Sequence, residues 1–540
     1  MRDGIKLATD VYTLEPEKRQ PVLLMRTPYN KVSGQKTAEL YARSGYTVVV
    51  QDCRGRYASG GSFLPYNTEG QDGFDTLEWI AKQPWSNGQT GMWGASYVGA
   101  VQWQAAAERA YGLAVLAPTA TWNSFYRNVY LGGTVRLALV CQAAASLEPP
   151  PPPLALPSDW SRTLMHLPLT SMESAIGWPL PWLTGILIHN RPDGYWKRLD
   201  LTKDLDALDI PAQHVVGYYD FFCRETVAGF LKMRAHSATP DARQNQQLIL
   251  GPWDHGTIGK TQVGDIDFGP AAHLDLPNEN LAWFDRFLKS DASAITKPFS
   301  RVRYFSMGNN IWETAEDWPP PNVQHTWFYL HSGGRANSRR GSGRLDKLPP
   351  KAFEPSDSFQ ADPADPVPAV PETDSRPRYS ATWGPVDQGP IEDRQDVLVY
   401  STEPLKAPLT FAGPLRAELH VSTDSPDSDW VVKVIDVRPD GFAQNLAVGI
   451  LRSSARESEL RPTPLVPGET YRMKVDLGHA AAKIERMHSL RIEVTWSYFP
   501  LFDRNTHTGE GPTGSRTRVA TQTLLHSRTS SSRILLPIIQ

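Results

Sequence analysis

Along the first 120 residues the apolar positions fall in short continuous runs rather than in alternation. Val22-Leu23-Leu24-Met25, Tyr46-Thr47-Val48-Val49-Val50, Gly91-Met92-Trp93 and Leu113-Ala114-Val115-Leu116 each read as a strand buried on both faces. Stretches of helical composition lie between them, such as residues 73–83 and the alanine-rich 98–110. Buried runs separated by helices predict a parallel α/β sheet, because the crossover helices cover both faces. From 122 to 209 this pattern stops. The segment holds Trp122, Trp160, Trp178, Trp182 and Trp196 and the proline run 149–153. It reads as an inserted cap of helices and loops, with the prolines as a stiff surface connector. The sheet then resumes with strands over 213–219 and 247–253, and a helix over 278–289 closes the unit.

Past residue 297 the period changes to two. Short alternating segments include Val302-Arg303-Tyr304-Phe305, Trp327-Phe328-Tyr329-Leu330, Val397-Leu398-Val399-Tyr400 and Leu490-Arg491-Ile492-Glu493-Val494. They predict an antiparallel sandwich, most simply a jelly roll. The polar Gly-Ser-Arg stretch 333–343 reads as a mobile loop. The expected organisation is a catalytic α/β domain from 1–121 and 210–296, a helical cap over 122–209, and a β domain over 297–540.

Composition narrows the function classes. A chain of 540 residues exceeds a single core. A net charge of −3 gives no electrostatic case for nucleic acid or an anionic membrane. Cys53, Cys141 and Cys223 are far apart and form no Cys-x-x-Cys pair, so neither a disulfide framework nor a zinc site is expected. With no 18-residue apolar run, the default expectation is a soluble, cytoplasmic protein.

The candidate chemistry centres on Thr90-Gly91-Met92-Trp93-Gly94-Ala95-Ser96-Tyr97-Val98-Gly99. A strand, one serine between small residues, and then a helix is the pattern of a nucleophile elbow. Here its second glycine comes one residue late. A serine needs a base, and the base needs an orienting carboxylate. Asp220 and His255 each follow one of the later strands, in the order Ser, Asp, His. His214 lies inside a strand and is a poorer base. Asp254, adjacent to His255, would point away from the imidazole. The Tyr97 N–H supplies one oxyanion donor by position, and Tyr29, in the loop after the first strand, could donate through its hydroxyl. Trp122, Trp160 and Trp178 from the cap and the Phe221-Phe222 pair are the candidate substrate-binding aromatics.

These residues carry a resemblance. Met1-Arg2-Asp3-Gly4, Arg26-Thr27-Pro28-Tyr29, Gln51-Asp52-Cys53-Arg54-Gly55, Gly94-Ala95-Ser96-Tyr97-Val98-Gly99, Gly217-Tyr218-Tyr219-Asp220, Gly251-Pro252-Trp253-Asp254-His255 and Phe499-Pro500-Leu501-Phe502-Asp503-Arg504-Asn505 are similar to the cocaine esterase and X-prolyl dipeptidyl aminopeptidase family of α/β-hydrolases. The likeness is strongest to its cocaine esterase branch. It implies an α/β-hydrolase domain with inserted cap and C-terminal jelly roll. It also implies Ser96, Asp220 and His255 as the triad, and Tyr29 with Tyr97 as the oxyanion hole. The family spells its elbow with the later glycine. Members that bind a free α-amine carry acidic residues just after the catalytic aspartate. Here Phe221-Phe222-Cys223-Arg224 follow, with only Glu225 nearby.

The reading is a serine hydrolase of carboxylic esters with apolar or aromatic acyl groups, working without metal or organic cofactor on a small-molecule ester. A homodimer is suggested by analogy only. The rivals are an amidase, acylase or X-Pro dipeptidyl peptidase on the same scaffold, and a non-catalytic carbohydrate-binding protein.

Overall fold

The computed structural model describes residues 1–148, 154–289 and 299–540. The proline run 149–153 and the expected boundary at 296/297 lie outside the described residues. The short apolar runs form a nine-stranded sheet. Its spatial order is β1 (Thr9–Tyr12), β3 (Thr47–Asp52), β2 (Gln20–Thr27), β4 (Ser86–Ala95) and β5 (Leu113–Thr119), then Ala212–Gly217, Gln246–Gly251, Val302–Ser306 and Ile311–Ala315. Every pairing from β3 to Val302–Ser306 is parallel, and the two edge strands run antiparallel. β3, Ala212–Gly217 and Gln246–Gly251 are buried at every residue, which is why no polar alternation marks them.

The helices α1 (Gln35–Arg43), α2 (Glu69–Ala81) and α3 (Tyr97–Ala107), with Cys223–His236 and Leu276–Leu288, cover the sheet. Leu23, Val48 and Val50 face Tyr41 of α1 and Trp283 and Phe284. Val22, Leu24 and Val49 face the opposite core, with Leu77 of α2 and Trp103 of α3. The register levels the carboxyl ends. Ala95 pairs with Thr119, Thr119 with Val215, and Gly217 with Gly251. Residues just beyond these positions therefore emerge at one edge, where open α/β sheets bind ligands.

Strand Val302–Ser306 does not belong with the β domain, as its sequence suggested. Val302 pairs with Leu248 and Tyr304 with Leu250, so sheet membership carries the first unit to Ala315. A run of five residues holds no record of which sheet it joins, and tertiary pairing decides it.

The rest of the chain is β-rich. Twelve strands pair almost throughout antiparallel, the longest ladder joining Leu409–Thr423 to Tyr471–Ile484. The stretch 333–343 is tied down rather than loose. The Ala336 N–H donates to Asp357 (2.8 Å), and Arg339 makes a two-pronged bond to Asp393 (2.9 and 2.7 Å).

The segment 122–209 contains helices Phe125–Val129, Leu137–Leu147, Trp160–Leu164, Met172–Ile176 and Pro181–Ile188. A bridge between Ser124 and Asp200 closes its base. It docks on the β-rich unit through Asp503, whose carboxylate accepts the Val135 N–H and pairs with Arg452, both at 2.8 Å. No helix among the described residues is long and apolar enough to cross a membrane.

Candidate active site

Ser96 sits at the junction of β4 and α3 with φ 63° and ψ −124°. A non-glycine residue held there costs about 1–3 kcal/mol and persists only where its surroundings enforce it. They do. The Ser96 N–H donates to the Thr119 carbonyl (3.0 Å), and the Ser96 carbonyl accepts from the Thr121 hydroxyl (3.1 Å). The two glycines make room. A Cβ on Gly94, itself at φ 132°, would lie 2.2 Å from Val98 Cγ1, and one on Gly99 would lie 2.8 Å from Thr121 Cβ. The late glycine is thus the one that lets α3 press against the chain leaving β5.

His255 lies four residues past Gln246–Gly251, and its Nδ1 is 2.9 Å from Asp220 Oδ2. The other oxygen, Oδ1, accepts the Phe222 N–H (2.8 Å), which fixes the fully buried carboxylate. Because a carboxylate only accepts, Nδ1 carries the proton and Nε2 keeps the lone pair. Desolvation opposes protonation of His255, but the charge and hydrogen bond of Asp220 outweigh it and hold the pKa above the usual value for histidine. Asp254 turns away, as expected, accepting from the Gly256 N–H and the Thr257 hydroxyl (2.8 Å each). His214 is buried, and desolvation pushes it down to about 4.

Tyr97 opens α3, so its N–H has no acceptor within the helix. Its ring is buried and stacked on Tyr66 (4.1 Å). Its hydroxyl donates to Glu69 Oε1 (2.9 Å), and Glu69 is paired with the buried Arg26 (2.9 Å). Tyr29 follows β2 in a loop pinned by bonds from Tyr29 N to the Thr27 hydroxyl (3.0 Å) and from Lys31 N to Asp52 (2.7 Å). Tyr29 is 41% exposed, but desolvation at its phenol pushes the pKa up, and the interaction of the hydroxyl with the Ser96 side chain opposes that rise.

Ser96, Tyr29 and His255 open on one cavity of about 340 Å³. Phe221 and Phe222 line it, their rings 4.4 and 5.3 Å from the His255 ring. Trp122, Trp160 and Trp178 do not. Trp122 is fully buried behind Tyr66 and Phe125. Trp178 is buried with its Nε1 bonded to the Glu148 carbonyl (2.9 Å), and Trp160 is half-buried and packs against the main hydrophobic core away from the cavity. The cavity walls come instead from Tyr66, Phe125, Trp182 and, from the β-rich unit, Trp383. The sequence held one usable signal for Trp383, a tryptophan in a loop-forming stretch with no strand pattern to absorb it. Glu225 is engaged elsewhere, with the Ser124 N–H (2.8 Å) and Arg127 (3.0 Å). No group of three or more metal-ligating side chains occurs among the described residues.

A strained serine at a strand-to-helix turn, facing a histidine–aspartate pair across the carboxyl edge of a parallel sheet, marks an α/β-hydrolase. Comparisons with known proteins agree. The model of the X-Pro dipeptidyl-peptidase (S15) family matches residues 3–257, and that of the X-Pro dipeptidyl-peptidase C-terminal non-catalytic domain matches 296–535. Cocaine esterase of Rhodococcus sp. (strain MB1 Bresler) is 35% identical over 537 residues, spanning 94% of this chain and 91% of that protein. Among solved structures, an aminopeptidase from the marine sediment archaeon Thaumarchaeota archaeon has a TM-score of 0.87 and an α-amino acid ester hydrolase one of 0.86. Both are 26% identical, covering 100% of this chain and 95% of theirs. The chain belongs to the X-Pro dipeptidyl-peptidase S15 family, with an α/β-hydrolase-like N-terminal part and a C-terminal non-catalytic β-rich part.

Proposed function

We propose that Ser96, His255 and Asp220 act as a catalytic triad for the hydrolysis of carboxylic esters. The observation that carries this reading is the opening of Ser96 and His255 on one cavity, with Asp220 fixing the imidazole tautomer from behind. His255 Nε2 takes the Ser96 proton as Oγ attacks the ester carbonyl. The Tyr97 N–H and the Tyr29 hydroxyl stabilise the tetrahedral oxyanion. His255 then protonates the departing alcohol, leaving an acyl group on Ser96, and a water attacks by the same route in reverse. Residues 122–209 form the cap over the serine. The β-rich unit, which we assign to the jelly-roll class, completes the pocket with Trp383.

Serine ester hydrolysis is the activity that the cocaine esterase relative supports, and the aromatic walls suit an apolar or aromatic acyl group. Dipeptidyl peptidase action would need an anion for the substrate's free α-amine. Glu225, the first acidic residue after Asp220, lies in the first turn of helix Cys223–His236 and is already bonded to Ser124 and Arg127.

Two results are expected. A fluorophosphonate attaches to the Ser96 peptide, located by mass spectrometry, and not to Ser96→Ala. An unmodified Ser96 with label elsewhere contradicts the assignment. Tyr29→Phe lowers kcat about 10²–10³-fold with KM little changed, because the lost donor acts on the oxyanion rather than on the bound ester. Steady-state kinetics that show only a raised KM contradict its place in the oxyanion hole.

A further inference from the structure

Most of the cavity wall is aromatic or aliphatic, but Asn128 interrupts it. Asn128 shares the helix Phe125–Val129 with Phe125 and Val129, and all three line the cavity. It is 1% exposed, whereas the other polar residues on that side, Gln142 and Ser146 of helix Leu137–Leu147, are exposed and meet water. Asn128 is thus the buried polar side chain of the cap's wall.

Its orientation is set from behind. Arg136 is buried and forms no ion pair among the described residues. Its Nη1 donates to the Asn128 backbone carbonyl and reaches the side-chain Oδ1 at 3.4 Å. A guanidinium has donors only, so the carboxamide must turn its oxygen toward Arg136. The NH₂ group then points away from Arg136, and it donates to no protein acceptor among the described residues although Asn128 lines the cavity. Desolvation and the nearby Arg224 push Arg136 down to about 9, so it remains charged near neutrality and holds this orientation. Phe502, whose ring lies 5.8 Å from Arg136 Cζ, links the arrangement to the segment that docks the cap.

We propose that Asn128, oriented by Arg136, determines specificity by donating a hydrogen bond to the substrate, selecting esters that carry a carbonyl or ether oxygen away from the scissile bond. The proposal rests on the catalytic reading above and deepens it. An ester that offers an acceptor satisfies the buried NH₂, and a hydrocarbon isostere leaves it unpaired.

The test uses two isosteric pairs, with rates divided by those of alkaline hydrolysis. In the acyl pair, 4-nitrophenyl 4-oxopentanoate is set beside 4-nitrophenyl 4-methylpentanoate. In the alcohol pair, 2-methoxyethyl butanoate is set beside butyl butanoate. The full-length wild type should favour the acceptor-bearing ester about fivefold to tenfold in kcat/KM in one pair. Asn128→Asp keeps an oxygen for Arg136 but turns the donor into an acceptor, so the preference should reverse. Asn128→Ser, too short to reach, should bring the ratio near one. A wild type that favours the hydrocarbon in both pairs, or a ratio unchanged in both variants, overturns the proposal. Fluorophosphonate labelling of the wild type is read separately. Its failure at Ser96 would count against the triad, whereas failure of the ratios with Ser96 labelled counts against Asn128 alone.

Discussion

Ser96→Ala is expected to lower kcat/KM for esters by about 10⁵- to 10⁶-fold while the protein stays folded. The size of the loss follows from the mechanism. Without Oγ no acyl-enzyme forms, and the oxyanion donors and the pocket retain only their residual effect on direct attack by water. The fold should tolerate the change because Ser96 is held by its backbone, through Thr119 and Thr121, and alanine keeps those bonds. The positive φ remains equally strained in alanine, so no stabilisation from strain relief should appear. Stopped-flow and steady-state assays beside a thermal melt check both halves. Activity within tenfold of wild type would remove Ser96 from the mechanism.

Asp220→Asn should cost about 10⁴-fold in kcat. The carboxamide can present its NH₂ to Nδ1, which favours the tautomer with the proton on Nε2 and leaves no lone pair facing Ser96. The variant should also change the pH profile. The base must be neutral, so wild-type kcat/KM falls as the pH drops through the His255 pKa, which lies above the ordinary 6.5. Two raising influences on His255 come from Asp220, its charge and its hydrogen bond, while desolvation pulls the other way. With Asp220 neutral, desolvation prevails and the acid limb moves to lower pH. A pH–rate series that shows the limb unmoved, or moved upward, would contradict the pairing.

The sequence made the sheet edge that gathers Ser96, Asp220 and His255 readable because its signals are local. Val48, Val49 and Val50 in a row can belong only to an element covered on both sides, and each candidate group follows such a run by a few residues. The choice of Asp220 over Asp254 also needed only the rule that adjacent side chains diverge. The pocket was not readable in this way. Trp122 and Trp182 have the same composition signal. What separates them is that Trp122 is sealed behind Tyr66 and Phe125, whereas Trp182 stacks on the open side of Phe125. Trp383 reaches Phe221 (5.5 Å) from a loop of the β-rich unit, across more than 160 intervening residues, and no periodicity encodes that meeting. The same limit put Val302–Ser306 in the wrong layer. Asn128 was silent too, since its role depends on which way Arg136 turns its carboxamide.

The measurement that tests the central claim most directly is hydrolysis of matched 4-nitrophenyl esters and 4-nitroanilides, X-Pro anilides included, by wild type and Ser96→Ala. The account predicts ester turnover that disappears in the variant, with the anilides left intact by both proteins. Ester turnover that survives in Ser96→Ala would contradict the assigned nucleophile. Efficient release of nitroaniline from X-Pro substrates by the wild type alone would contradict ester hydrolysis as the activity this pocket serves.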